Sequence, residues 1–212
     1  MTLSLRRPAP AVLLLLLATG CASTPHPPAT QTQPAQAPAA AAPASAPAAA
    51  TESPPANPAD VASLDAVLRS LYDVISGPAG QRRNWDRMRS LFIPGARLMP
   101  TVRRPDGSRA MRVWSVDEYI STVGPRLEEG GFFEHEIARR VQRFGSIAHV
   151  FSTYESRRAA ADPAPFARGI NSIQLWFDNS RWWVVSIFWD SERPDNPIPG
   201  RYLQSEPAAP PQ

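Results

Sequence analysis

One cysteine, three histidines and no lysine occur in the 212 residues of this chain. A lone cysteine, Cys21, excludes an intramolecular disulfide, so any folded part must stand on its hydrophobic core. With only His26, His135 and His149 beside that cysteine, and His26 in the tether, no metal site is expected. There is no dinucleotide fingerprint, P-loop, nucleophile elbow or CxxC pair, so no cofactor is expected. The absence of lysine makes every basic side chain an arginine, 22 against 19 acids, with a net charge of +3 and a pI near 9.6. Those arginines are scattered among acids rather than clustered, which argues against a nucleic-acid partner. The longest apolar run, AVLLLLLA, falls far short of the ~20 residues that a membrane-spanning helix needs.

What that run does fit is an export signal. Arg6 and Arg7 precede it, and small residues, ATGCAS, follow. The stretch Leu17-Ala18-Thr19-Gly20-Cys21 resembles the lipobox of bacterial lipoproteins, with Ala18 where that group usually has leucine. The resemblance implies removal of residues 1–20, a diacylglycerol on Cys21, and an address on the extracytoplasmic side of the cell envelope. More than one acyl chain gives lasting membrane attachment. Residues 21–59 are almost wholly Ala, Pro, Thr, Ser and Gln, a composition that cannot offset its own ordering entropy. They are expected to form a disordered tether with an extended reach on the order of 100 Å. Residues 204–212 are expected to form a disordered tail.

Residues 60–203 are one domain's worth of chain. Asn57-Pro58-Ala59-Asp60 predicts a helix start, and Val61, Leu64, Leu68, Leu71 and Ile75 continue at helical spacing up to Gly77-Pro78. A second helix is expected through Trp85, Met88 and Leu91, ended by Pro94-Gly95. A hairpin about Arg104–Ser108 follows. Ser115 and Glu118 then form a capping box for a third helix, interrupted at Gly124-Pro125. From Phe132 the period becomes two, with strands at about 132–144, 147–158, 168–177 and 182–191 separated by turn signals. Helices first and an antiparallel meander after them predict an α+β fold, the helices packed on one face of a curved sheet. RWWVVSIFWD alternates Trp183, Val185, Ile187 and Trp189 with Trp182, Val184 and Phe188, which makes both faces of the last strand apolar. A homodimer is the expected cover for the second face, with fold-back of RPDNPIPGRYL as the alternative.

This order of elements resembles the nuclear transport factor two-like superfamily, which includes SnoaL-like cyclases and ketosteroid isomerase. The stretches that carry it are SLYDVISGPAGQRRNWDRMRSLFIPGARL, FGSIAHVFSTYESR and GINSIQLWFDNSRWWVVSIFWDSE. The resemblance implies a cone-shaped fold with a pocket between sheet and helices. It implies no particular reaction, because such folds host many functions. The stretch Leu98–Thr101, where the isomerase has its general-base aspartate, holds no carboxylate. Asn171 falls near its oxyanion-hole aspartate, and Tyr72 near its helix-one tyrosine.

The densest group of titratable residues is GFFEHEIARR. If Gly145-Ser146 is a two-residue turn, the flanking strands pair Gln142 with His149, Ala138 with Thr153, Ile137 with Tyr154 and Glu136 with Glu155. His135 then points away from Glu134 and Glu136 and shares a face with Tyr154. Glu136 and Glu155 oppose each other, which is destabilising unless an arginine bridges them or one carboxyl stays protonated. A β-bulge would dissolve that pair. The candidate acid/base residues are therefore Glu136, His149 and Glu155, and the candidate pocket residues are His135, Tyr154, Asn171 and Trp183. Apolar content assigns the pocket to the Tyr154 face, whereas the isomerase resemblance assigns it to the His149/Thr153/Glu155 face.

The function expected from these residues is a lipid-anchored envelope protein that binds a small apolar or amphipathic ligand, or a protein partner, in a cone-shaped pocket. The alternatives are a SnoaL-like isomerase, cyclase or dehydratase with a His/Glu/Tyr group, and a structural dimerisation module. Mass spectrometry of the mature N-terminus tests the anchor. A diacylglycerol-modified Cys21 is expected, and an unmodified terminus at or beyond Ala22 excludes it.

Overall fold

The computed structural model describes residues 53–205. The predicted signal peptide, Cys21, most of the tether and the end of the tail lie outside the described residues. Ordered packing begins ahead of residue 60. The Ser53 hydroxyl donates to the Phe92 carbonyl (2.8 Å), Ala56 packs on the core, and the Asn57 side chain caps α1 (Pro58–Val61). The helix predicted as continuous breaks after that turn. Ser63 is extended, accepts from the Ala66 amide, and starts α2 (Leu64–Ile75) afresh. Asn84 caps α3 (Trp85–Leu91). Here the expected stop at Pro94-Gly95 is corrected. The chain turns extended at Phe92, and Pro94-Gly95 lie within β1 (Phe92–Arg103) where its register slips. β2 (Arg109–Met111) completes the predicted hairpin. The capping box opens α4 (Val116–Gly130), which continues through Pro125 instead of stopping there. An interior proline removes one ladder hydrogen bond and crowds the carbonyl of the residue four back, here Ser121, and the helix runs on past it.

The four remaining strands lie within a residue of their predicted limits: β3 (Phe133–Phe144), β4 (Ile147–Arg157), β5 (Ala167–Phe177) and β6 (Trp182–Ser191). The sheet order is β2-β1-β6-β5-β4-β3. β1 runs parallel to β6, and every other neighbour is antiparallel. This is an α+β architecture with helices on one face of a six-stranded, mostly antiparallel sheet. The core joins Val67, Leu68 and Leu71 of α2 and Met88 and Leu91 of α3 to Val150, Ile173, Leu175 and Val184 of the sheet.

Two β-bulges change which residues face the core. Val185 has no partner on β5: Leu175 pairs with Val184 and Gln174 with Ser186. The predicted alternation along β6 is thereby corrected. Trp182 and Val184 face the core before the bulge, and Ile187 and Trp189 pack against it after the bulge. Ile137 is the extra residue of β3. Pairing holds from Phe144↔Ile147 to Ala138↔Thr153, then shifts to Glu136↔Tyr154 and His135↔Glu155. The predicted Glu136–Glu155 opposition therefore does not form.

The outer face of the sheet is partly covered by the chain's own C-terminal segment, the alternative raised for it above. A 3-10 turn at Gly200–Tyr202 lays the Tyr202 ring on Phe151 (centroids 5.4 Å, stacked). Thr153 Oγ1 donates to the Tyr202 carbonyl (2.6 Å), and Arg140 Nε to that of Arg201 (2.7 Å). Beyond this strap a cross-strand row stays exposed: Phe144, Ile147 and Trp176, at 84%, 58% and 42%.

Arg83 holds the helices in place. It is only 7% exposed, and its guanidinium spends its donors on backbone carbonyls. Nε reaches Ile75 O (3.0 Å) at the end of α2. Nη2 reaches Gly77 O (2.6 Å) and Leu127 O (3.1 Å) in α4. Nη1 reaches Gln81 O (2.5 Å). The planar fork suits carbonyls that converge from several directions. Gly77 leaves room for it, since a Cβ there would lie 2.7 Å from Nη1. Arg83→Leu is expected to cost at least about 3 kcal/mol, because several carbonyls lose their donor at once. Arg83→Lys should recover only part of that. Urea unfolding measures both; a loss below about 1 kcal/mol for the leucine variant would show that water replaces the guanidinium.

Candidate functional site

Between the inner sheet face and the helices lies a cavity of about 330 Å³, within the ~300–1,000 Å³ of small-molecule sites. Its walls are mostly apolar. Leu71 and Ile75 come from α2, Val123 and Leu127 from α4, and Leu98, Ile173 and Ile187 from the sheet. Trp114, Tyr119 and Trp189 form one aromatic wall, with Tyr119 edge-on to both indoles (6.2 and 6.4 Å). Phe132 and Phe166 form a second edge-on pair (6.2 Å). Tyr154 enters from β4 opposite Gly169. A Cβ on that glycine would lie 2.5 Å from the Tyr154 hydroxyl, so Gly169 provides the space the phenol occupies.

Among the described residues one carboxyl lines this cavity, that of Glu134. The Ile137 bulge turns it inward, opposite Ser156, whose hydroxyl donates to Glu134 Oε2 (2.7 Å). The Glu134 amide is fixed by Ser76 Oγ (3.0 Å). Burial pushes the carboxyl up to about 7, and the Ser156 hydrogen bond opposes that rise. Three phenols feel its charge. Tyr72 and Tyr119 are raised by burial first and by Glu134 next. Burial pushes Tyr154 up to about 12.

A hydrogen-bonded chain runs beside the cavity. Asn171 Nδ2 donates to the Tyr72 hydroxyl (3.2 Å). Tyr72 shares a 2.6 Å hydrogen bond with Ser152 Oγ, and Ser152 donates to the Glu136 carboxylate. Since the Ser152 proton goes to Glu136, the Tyr72 proton goes to Ser152. Arg139 closes the chain, reaching Glu136 (2.5 Å) and Asp65 (2.6 Å). Tyr72 and Asn171 lie together, but the phenol proton is committed to Ser152 and does not point at a ligand.

The residues singled out from sequence divide between the two faces. Tyr154 and Asn171 line the cavity. Glu136 stands on the same face, held by Ser152 and Arg139. His135 and Glu155 are partners on the outer face (Nε2–Oε1 2.9 Å), a correction to the face assigned to His135. Arg157 also binds Glu155 and is the main cause holding that carboxyl below its ordinary range, with burial opposing. His149 is on the outer face too, with Nε2 2.8 Å from Ser172 Oγ. Trp183 is bound at the β5–β6 turn, donating to Asp178 Oδ2 (2.6 Å) beneath the Arg181 guanidinium. The pocket face is thus the Tyr154 face. Glu134 was missed as a site residue because strict alternation put it on the face opposite Tyr154. The aromatic walls of Trp114, Tyr119 and Trp189 were missed because they come from three separate elements.

No family model matches the chain, and no curated protein matches it. Among solved structures it is similar to an NTF-2-like protein from Silicibacter pomeroyi, at 17% identity and a TM-score of 0.43 over 62% of this chain and 94% of that one. It is similar to an NTF2-like protein from Shewanella baltica, at 14% identity and a TM-score of 0.37 over 60% and 89%. It is also similar to the CaMKII hub of S. rosetta, at 15% identity and a TM-score of 0.39 over 60% and 89%.

The raised Glu134 carboxyl makes stability depend on pH. Its folded value, about 7, exceeds the ordinary 4.5. The contribution is full below pH 4.5 and is lost as pH rises through 7, because the unfolded chain ionises first. The expected loss is on the order of 3 kcal/mol. Urea unfolding across this range should show the slope in the wild type and a flatter profile in Glu134→Gln. An equal slope in both would place the Glu134 carboxyl in contact with bulk water.

Proposed function

We propose that this chain is a cell-envelope protein, tethered through a lipid on Cys21, whose domain binds a small apolar or amphipathic ligand between sheet and helices. The observation that carries this is the cavity itself. A half-open, mostly apolar pocket of about 330 Å³ with aromatic walls and a few polar groups has the size and lining of a small-molecule site. The nuclear transport factor two-like resemblance implies a pocket in the same place.

A second reading, a proton-transferring enzyme of the isomerase or dehydratase kind, is favoured by one observation: Glu134, pushed up to about 7, suits a general base or acid at neutral pH. Against it stands the commitment of the Tyr72 hydroxyl to Ser152 and Glu136, which leaves that phenol unavailable to a developing oxyanion. For assembly, the reading is a homodimer through the uncovered row Phe144, Ile147 and Trp176.

Native mass spectrometry of the purified protein and titration with an environment-sensitive apolar dye test the pocket. One dye per chain is expected, with quenching of tryptophan emission because Trp114 and Trp189 line the cavity. Ala167→Phe, which fills the same space, should weaken binding at least tenfold. Dye binding that ignores the filling substitution removes the pocket from the reading. Loss of deuterium wash-in at the α-carbons of test ketones in Glu134→Gln would favour the enzyme instead.

A further inference from the structure

In a protein whose basic residues number 22, all arginine, no arginine or histidine among the described residues lines the cavity. Its one ionisable acid, Glu134, sits among aromatic rings. This combination discriminates sharply among ligands by charge. An anionic ligand meets a carboxyl and no counter-charge. A neutral ligand gains only the burial of its apolar surface and leaves Glu134 protonated. A cation on a hydrocarbon body meets both of its needs. The ammonium forms a charge-assisted hydrogen bond with the Glu134 carboxylate, and the rings of Tyr119 and Trp189 attract the same charge, whereas Trp114 and Phe166 already carry the guanidinium groups of Arg112 (5.7 Å) and Arg158 (4.2 Å). The hydrocarbon lies among the Leu, Ile and Val side chains of the walls.

We propose that the cavity takes a small apolar organic cation, an amine with a compact hydrocarbon body, its ammonium against Glu134 and its body among Trp114, Tyr119 and Trp189. This deepens the pocket reading and rests on it. The surroundings of Glu134 support it from every side. Tyr72 from α2, Tyr119 from α4 and Tyr154 from β4 stay protonated at neutral pH and carry no compensating positive charge. Glu136, two residues along β3, is already held by Ser152 and Arg139. Asp190, beyond Tyr154, is held by Arg193 (2.6 Å). Glu134 is thus the lining carboxyl without an arginine partner, and a ligand cation would supply one. The binding also carries a proton signature. A cation favours the ionised carboxylate, so binding near the Glu134 titration expels its proton to the buffer.

The test uses three probes of one shape: adamantylamine, adamantanol and adamantanecarboxylate. Calorimetry with the purified protein should show the amine binding about ten- to a hundredfold tighter than the alcohol above the Glu134 titration. That advantage should shrink below it, and the carboxylate should bind weakest throughout. Repeating the amine titration in two buffers of different ionisation heat should reveal proton release that the alcohol lacks. In Glu134→Gln the amine should bind no tighter than the alcohol. Equal affinity of amine and alcohol, or amine binding without proton release near the titration midpoint, overturns the cation assignment while the pocket stands. An amine preference that survives Glu134→Gln also overturns it. Binding by none of the three overturns the pocket as well.

Discussion

Between Glu136 and Ala138 the β3–β4 hairpin slips by one residue, and the chemistry of the cavity depends on that slip. Ahead of Ile137, residues that would have faced outward face in. Glu134 is brought against Ser156 and among three phenols, and Glu136 against Ser152, while His135 moves out to Glu155. Without the extra residue both glutamates would lie on the outer face, and the cavity would lose the carboxyl that lines it. A bulge also increases local twist and bends the strand. The device that selects the side chains thus helps the sheet curve over the helices. The Val185 bulge works to the same end on β6, adding Trp189 to the aromatic wall and Ile187 to its apolar surroundings.

The helices are fixed by a different means. Arg83 binds carbonyls at the end of α2, in the connection after it, and in α4. A buried guanidinium that serves backbone acceptors fixes distances more tightly than apolar packing alone, because each hydrogen bond has a narrow range of length and angle. The cavity keeps its volume because α2 and α4 are held to each other and not only pressed on the sheet. The Glu128 carboxylate adds to this by accepting from the Arg83 amide (3.0 Å) and the Trp85 indole (2.9 Å).

Two polar systems flank the sheet and differ in purpose. On the outer face, Glu155 is met by His135 and Arg157, and Arg168 lies beside Glu192 (3.4 Å). These charges are paired, and the strap that ends at Tyr202 packs alongside them. On the inner face, Glu134 has a hydroxyl for a partner and no cation. Burial without a counter-charge raises a carboxyl, whereas an adjacent arginine lowers it, and Glu134 and Glu155 illustrate the two cases on one hairpin. A perturbed carboxyl in a cleft is a functional-site candidate, and of these two only Glu134 lines the cavity.

The sequence by itself determined the elements. Period-two patterning located the four long strands within a residue, the Ser115/Glu118 capping box located α4, and Gly145-Ser146 set the hairpin register as far as Ala138. Those signals are local, carried by neighbours along the chain. It also determined that a single cysteine forms no intramolecular disulfide. Only the tertiary structure decided which face of the sheet met the helices and which carboxyl the cavity received. A bulge leaves little trace in composition, and a one-residue slip reverses every side chain beyond it. The parallel pairing of β1 with β6, the reach of Arg83 to Leu127 and the meeting of Trp114, Tyr119 and Trp189 are contacts between distant segments. They are set by how apolar faces pack in three dimensions, and a pattern read along one strand or helix carries no record of them.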